Sequence, residues 1–271
     1  MVKAIFEQGT VVGHEALSPS IVRTTILSPG IAALAAPGQF VNIKCTPSTS
    51  YDPLLARPFS YNRIDKVRGT FAVLYRVVGR GTELLRNCRI GDKLTILGPL
   101  GKGFVPPEQS PSSVAAKKKI LIVAGGMGIA PFYPLAESLL IGGFAVKLLY
   151  GTRSDVDLAD RDELAHLGAD ILCCTEDLDF GHSGLVTDLL QTTLGAGECF
   201  DVAYACGPRG MLSAVKRVCQ SSHLPLQLSL EEHMACGLGV CLGCTCERAG
   251  GEGYWHVCTD GPVMWAEEVS L

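Results

Sequence analysis

Cys236, Cys241 and Cys244 are spaced C-x4-C-x2-C, and Cys258 follows after thirteen intervening residues. The first three lie in "CGLGVCLGCTC", residues 236–246, which packs four of the chain's twelve cysteines into eleven residues. Thiols crowded onto so short a loop have to be bridged, metallated or held apart, so this stretch constrains the surrounding fold more than any other. Compartment narrows the choice. The N-terminus "MVKAIFEQGTVVG" lacks a long apolar segment and a small-residue cleavage site, so no signal peptide is expected. A cytoplasmic location follows as an expectation. There disulfides are disfavoured, and clustered cysteines more often bind metal or do chemistry.

A [2Fe–2S] cluster takes four thiolates, and C-x4-C-x2-C…C is one of its spacings. The metal ligands expected are therefore Cys236, Cys241, Cys244 and Cys258. The thiolates must converge on a compact group, so the loop has to wrap around it. Gly237, Gly239 and Gly243 permit unusual backbone angles and close approach, and backbone N–H groups can then point at the sulfurs. Zinc is the main alternative, although four-cysteine zinc sites usually come as two CxxC pairs and one such pair is present. A disulfide pair is the third reading. Cys246 lies two residues beyond Cys244; a fifth ligand is not needed, so it is expected to pack beside the cluster. Cys45, Cys88, Cys173, Cys174, Cys199, Cys206 and Cys219 sit mostly in apolar segments and read as small core residues.

The rest of the chain must present this loop. With 271 residues, two domains of ~150 residues are the simple expectation, and a chain 47% hydrophobic and 18% charged can bury a large core. The net charge is −4 and no basic run exceeds Lys117–Lys119, so nucleic acid is not an expected partner. Residues 1–104 read as short β segments: "GQFVNIKC", "GTFAVLYRVV" and "CRIGDKLTILGPLG" carry β-branched and aromatic residues between Gly and Pro. They suggest an antiparallel β-barrel. Residues 105–118, "VPPEQSPSSVAAKK", have linker composition. Beyond them "KKILIVAGG", "AVKLLYGTR", "ADILCCTED" and "DVAYACGP" read as apolar strands, alternating with helix-like "APFYPLAESLL" and "GMLSAVKRVCQ". That alternation implies a parallel, doubly wound α/β sheet over residues 105–225. Residues 226–271 form a small cysteine module. Ile120–Ala136 carries no charge, but Gly125, Gly126, Gly128, Pro131 and Pro134 break it, so a buried strand–turn–helix is expected rather than a membrane span.

Two turn motifs carry binding chemistry. "ARPFSYN" offers Arg57 for a phosphate, Pro58 to stiffen the strand and the Ser60 hydroxyl for a flavin ring nitrogen. About twenty residues on, Gly79-Arg80-Gly81-Thr82 precedes a helix-like segment, and N–H groups at a helix start suit phosphate. Together they make a plausible diphosphate clamp. "IVAGGMGIAP" puts Gly126 and Gly128 at the end of the first α/β strand, where dinucleotides bind, although it is not G-x-G-x-x-G. "CGP", Cys206–Pro208, ends a later strand in the same way. Both turns should face one crevice.

This order of motifs resembles the ferredoxin–NADP reductase superfamily, and "EEHMACGLGVCLGCTC…VCTDGPV" with "LGPLGKGF" resembles one branch of it, the electron-transfer subunits of class 1B dihydroorotate dehydrogenases. The resemblance spans about Lys3 to Glu268. It implies an FAD-binding barrel with Arg57, Pro58, Phe59, Ser60, Leu74, Tyr75 and Arg76 against FAD and Gly81 and Thr82 at its diphosphate. It implies a NAD-binding domain with Gly126, Gly128, Cys206, Gly207 and Pro208 beside the nucleotide, and a cluster on the four cysteines. It also implies a partner, an FMN-containing dihydroorotate dehydrogenase catalytic subunit in a heterotetramer of two of each, with electrons passing from FMN through the cluster and FAD to NAD+ in pyrimidine biosynthesis. This chain carries no dihydroorotate site of its own, and no membrane partner is implied. Ala124 replaces the first glycine of the usual Gly-Gly-Gly turn and Met264 the usual Phe after "GPV"; neither removes a ligand. The alternatives are an NAD(P)H-linked electron-transfer subunit of another complex, such as a bifurcating transhydrogenase, sulfite reductase or hydrogenase, and a zinc-stabilised binding module.

Overall fold

Six strands close into a barrel: β1 (Ile5–Ala16), β2 (Ile21–Leu27), β3 (Phe40–Lys44), β4 (Arg57–Asp65), β5 (Thr70–Arg76) and β6 (Lys93–Leu100). They neighbour one another in the order β1-β2-β5-β4-β3-β6, with β6 pairing back onto β1 and every pairing antiparallel. The structure, a computed structural model, describes residues 4–46, 50–108, 117–177 and 181–271. Val41, Ile43, Phe59, Tyr61, Val73 and Tyr75 belong to the barrel core and are less than one-tenth exposed. They occupy alternate positions along β3, β4 and β5, so Asn42, Pro58, Ser60, Leu74 and Arg76 lie on the outer face. Closure removes sheet edges that would otherwise seek partners. Two short helices, α1 (Pro29–Leu34) and α2 (Arg80–Arg86), fill connections between strands. The three β segments singled out from the sequence are β3, β5 and β6; "RPFSYN" opens β4.

The α/β part begins with β7 (Lys119–Gly125), α3 (Phe132–Ile141), β8 (Ala145–Thr152), α4 (Arg161–His166), β9 (Asp170–Thr175), β10 (His182–Ser183) and α5 (Val186–Gly195). It continues through β11 (Val202–Cys206), α6 (Arg209–Ser221) and β12 (Leu226–Ser229). The cysteine segment adds β13 (Thr245–Glu247), β14 (Tyr254–His256) and β15 (Val263–Trp265). The larger sheet runs β10-β9-β8-β7-β11-β12-β15, with parallel pairing from β10 to β12, while β13 and β14 pair separately. Ile120, Leu121, Ile122, Val123 and Ala124 of β7 are at most 1% exposed, as a strand covered on both faces requires. The chain runs outward from β7 through β8 and β9, then returns to β11 on the other flank of β7. That reversal between β7 and β11 is a topological switch point.

Met1–Gly103, Glu231–Cys246 and Gly253–Val263 form one compact unit, and Phe104–Leu230, Glu247–Glu252 and Met264–Leu271 form a second. The linker-like stretch falls partly outside the described residues, at 109–116, but its first residues are held firmly. Val105 N–H donates to Gln227 Oε1 at 2.9 Å, Gln227 Nε2 donates to the Val105 carbonyl at 2.7 Å, and the Tyr204 hydroxyl donates to the same carbonyl at 2.9 Å. Phe104 stacks on Phe132 with ring centroids 5.5 Å apart. The uncharged run Ile120–Ala136 is β7, a tight turn and the first half of α3, and among the described residues no helix is long and apolar enough to cross a membrane.

Candidate functional site

Cys236, Cys241 and Cys244 come from the loop before β13 and Cys258 from the turn after β14, none of them from a regular element. Cys236 and Cys241 lie at the loop's accessible side, while Cys244 and Cys258 are buried. Backbone N–H groups converge on the sulfurs: Leu238 and Cys241 donate to Cys236 Sγ at 3.3 and 3.4 Å, Gly239 to Cys258 Sγ at 3.2 Å, and Cys258 to Cys244 Sγ at 3.4 Å. Side-chain contacts join Cys236 to Cys241 and Cys244 to Cys258. The thiols therefore stand as two pairs. Among the described residues no three such donors gather about one point.

The electrostatics follow. Burial pushes the Cys236 thiol up, but the N–H groups of Leu238, Cys241 and Val240 outweigh it and bring it down to about 6. Burial, with the Cys244 thiol beside it, pushes Cys258 up to about 12. The backbone donors favour the thiolate form at Cys236, and burial disfavours it at Cys258.

Two of the loop glycines do what the spacing suggested. Gly237 has φ +72°, and a Cβ there would stand 2.5 Å from Asn42 Nδ2 and 3.0 Å from Leu100 Cδ1. Gly239 has φ +77° and would meet Thr259 at 3.1 Å. Gly243 is different: its nearest neighbour would be Cys241 Sγ at 3.6 Å, an ordinary contact. Below the loop, Asn42 Nδ2 donates to the Cys236 carbonyl at 3.5 Å. The "DGPV" turn is tied to the barrel by Lys102 N–H donating to the Gly261 carbonyl at 2.6 Å. The loop thus rests on the outer barrel wall, where Asn42 pairs with Pro58 across β3 and β4 and Phe40 pairs with Ser60. Cys246 is buried on β13.

The two motifs expected to form a diphosphate clamp lie side by side. A Cβ on Gly81 would lie 3.2 Å from Arg57 Nε, so α2 starts against the Arg57 side chain. Arg57 itself donates to the Leu55 carbonyl at 2.8 Å, and Arg80 pairs with Asp52 at 3.1 Å. Thr82 Oγ1 accepts from Val78 and Gly79 N–H at 3.0 and 3.2 Å and donates to the Gly79 carbonyl at 2.9 Å, shaping the helix start with its own hydroxyl. Val77, Gly79, Arg80, Glu83 and Leu84 line an open pocket of about 510 Å³ beside it. Phe59 and Tyr75 point inward, rings 5.4 Å apart, and the Tyr75 hydroxyl meets Thr24 Oγ1 at 3.1 Å. A ligand on the outer wall reaches these two residues through their backbone.

The nucleotide turns also come together. Ala124 pairs with Cys206 across β7 and β11. A Cβ on Gly128 would stand 2.2 Å from the Cys206 carbonyl oxygen, and one on Gly207 would stand 3.1 Å from Gly125 Cα. Met211, the first turn of α6, fills the remaining gap: its Sδ would be 2.3 Å from a Gly125 Cβ. Pro208 Cδ would be 3.1 Å from the same Cβ. Gly126, at φ +53°, has nothing within 4 Å of its Cβ position and so leaves backbone open at the strand end. Sequence reading missed Met211 and Asn42. The signal for Asn42 was an amide in the middle of an otherwise apolar strand; Met211 left none, because a flexible thioether fits many gaps.

Residues 231–270 match the family model for the iron-sulfur cluster binding domain of dihydroorotate dehydrogenase B, and residues 122–217 match the oxidoreductase NAD-binding domain. The chain is 39% identical over 266 residues to the electron transfer subunit of dihydroorotate dehydrogenase B (NAD(+)) from Geobacillus thermodenitrificans, covering 98% of each. It is 38% identical over 268 residues to the subunit of that name from Enterococcus faecalis strain V583, again covering 98% of each. Among solved structures, an NADH-dependent reduced ferredoxin–NADP oxidoreductase studied for flavin-based electron bifurcation superposes with a TM-score of 0.83 at 27% identity, over 97% of this chain and 89% of that one. A ferredoxin–NADP+ reductase from Neisseria gonorrhoeae shares the fold at a TM-score of 0.65 and 20% identity, over 80% of this chain and 91% of that one. The paired thiols, the glycine turns at the β7–β11 switch point and full-length identity near two-fifths agree: the chain belongs to the family of dihydroorotate dehydrogenase B (NAD(+)) electron transfer subunits.

Proposed function

We propose that Cys236, Cys241, Cys244 and Cys258 ligate a [2Fe–2S] cluster, that FAD lies on the barrel wall, and that NAD binds at the β7–β11 turns. The observation that carries this is the seat of the cysteine loop on the strand face shared by Pro58 and Ser60. When bound, FAD exchanges electron pairs with a nicotinamide and single electrons with the cluster. Arg57 and the backbone of Gly81 and Thr82 hold the diphosphate. Ser60 orients the ring, with Pro58, Leu74 and Arg76 on the outer wall and Phe59 and Tyr75 supporting it from inside. Gly126, Gly128, Cys206, Gly207 and Pro208 border the nucleotide. In this reading the chain divides into an FAD barrel (1–104), a NAD domain (105–225) and a cluster module (226–271). It works in the cytoplasm with an FMN-containing dihydroorotate dehydrogenase subunit, two of each, docked on the cysteine module.

Anaerobic purification tests the cofactors: one FAD, two irons and two labile sulfides per chain are expected, and stoichiometric zinc without iron refutes the cluster. Native mass spectrometry of the co-expressed pair tests the assembly; any stoichiometry other than two of each refutes the tetramer. A second reading, a subunit of another NAD(P)H-linked complex, draws on the bifurcating oxidoreductase neighbour. Whichever catalytic protein co-purifies decides between them.

A further inference from the structure

Asn42 is 3% exposed, in a strand whose neighbours are Val41 and Ile43. Asn is disfavoured in strands, and a buried amide is costly unless hydrogen-bonded. Its Oδ1 has no partner among the described residues, and its Nδ2 faces the Cys236 carbonyl at 3.5 Å, the outer limit of a hydrogen bond. The backbone of the next residue closes onto the same amide: a Gly237 Cβ would be 2.5 Å from Nδ2. On the barrel side, Asn42 pairs with Pro58 of β4 and Leu97 of β6.

We infer that Asn42 is a positioning residue for the cluster: its amide pins the Cys236–Gly237 peptide to the barrel wall and so sets the N–H···S hydrogen bonds at Cys236. The inference rests on Cys236 being a cluster ligand. Cys236 Sγ accepts from Leu238 and Cys241 N–H, and both donors belong to the segment that Asn42 anchors. Hydrogen bonds to cluster sulfur stabilise the reduced state and help set its potential. A loop released from the wall loses the fixed direction of those donors. Gly237 is needed for the same contact, because any side chain there displaces the amide.

The test uses the full-length holo-protein and its Asn42→Ala, Gly237→Ala and doubly substituted variants. Three readouts are followed: iron release to a chelator, the electron paramagnetic resonance spectrum of the reduced cluster, and FAD content. Either single change should speed iron release about five- to tenfold, the factor carried by one lost hydrogen bond. Each should shift the g-values and lower the potential while FAD content stays at the wild-type level. The double variant should be no worse than the poorer single one, because both changes break one contact. Wild-type release and g-values in Asn42→Ala overturn the inference, as do fully additive effects. If Asn42→Ala retains no iron, Asn42→Thr, which suits a strand but cannot reach the carbonyl, decides on the same criteria. A Cys236→Ser protein with an unaltered cluster overturns instead the ligand assignment beneath it.

Discussion

At the scale of single residues, spacing and backbone contacts mark out the four candidate ligands. The four spaced thiols collect backbone N–H donors or one another. Cys246 is buried on β13, and four thiolates already complete two irons. Cys246→Ser should keep the iron and the visible spectrum, whereas Cys244→Ser should lose both; iron analysis and absorbance decide it, and equal loss refutes the assignment. Glycines separate by what a Cβ would touch. Ala at Gly128 would drive a methyl into the Cys206 carbonyl, while Ala at Gly126 meets open space and carries only the left-handed penalty, about 1–2 kcal/mol. Gly128→Ala should therefore raise KM for NADH by about tenfold or more, since a displacement of about 1 Å at a binding turn is that expensive. Gly126→Ala should change it by a few-fold at most. Steady-state kinetics with an artificial acceptor measure both.

At the scale of elements, β4 serves two surfaces at once. Phe59 packs into the core beside Tyr75, while Arg57 at the strand's start touches the beginning of α2. Phe59→Ala should lower barrel stability by about 3–5 kcal/mol, as truncation of a buried aromatic does. Arg57→Ala should leave the melting temperature of the FAD-free protein unchanged and weaken FAD binding about ten- to a hundredfold, the worth of a charge-assisted hydrogen bond. Thermal denaturation and fluorescence titration separate the two effects. If Arg57→Ala costs stability but not FAD affinity, the clamp is misplaced. The motif "RPFS" was legible in the sequence. Its division into an inner Phe and an outer Pro and Ser was not, because alternation assigns faces only once the core side is known.

At the scale of the whole molecule, the proposed function gives this chain the nicotinamide, flavin and cluster chemistry and leaves dihydroorotate oxidation to its partner. It should reduce artificial acceptors with NADH and show no dihydroorotate oxidation. Adding an FMN-containing dihydroorotate dehydrogenase subunit should restore dihydroorotate-dependent NAD+ reduction. Cys241→Ala should abolish that coupled reaction, because in the proposed path the cluster lies between FMN and FAD. NADH oxidation by artificial acceptors should survive it, because Cys241 lies in the exposed loop and contributes nothing to the barrel core. Coupling that persists without the cluster refutes the proposed electron path. Spectrophotometry of NADH with iron-depleted and iron-replete protein reads both halves.

The sequence by itself determined the local chemistry: which cysteines have cluster spacing, which glycines end apolar strands, and where β texture gives way to alternating strands and helices. Those properties depend on neighbours a few residues apart, and periodicity and turn chemistry write them directly into the chain. The tertiary structure decided what distant segments do to one another. Asn42 and Cys236 are 194 residues apart, yet one side chain holds the other's carbonyl. Gly128 and Cys206 touch because β7 and β11 are neighbours in the sheet. Met211 looked like any helix residue until two glycine turns closed around it. Such contacts are set by sheet order and barrel closure, which bring together residues whose local patterns carry no trace of the pairing.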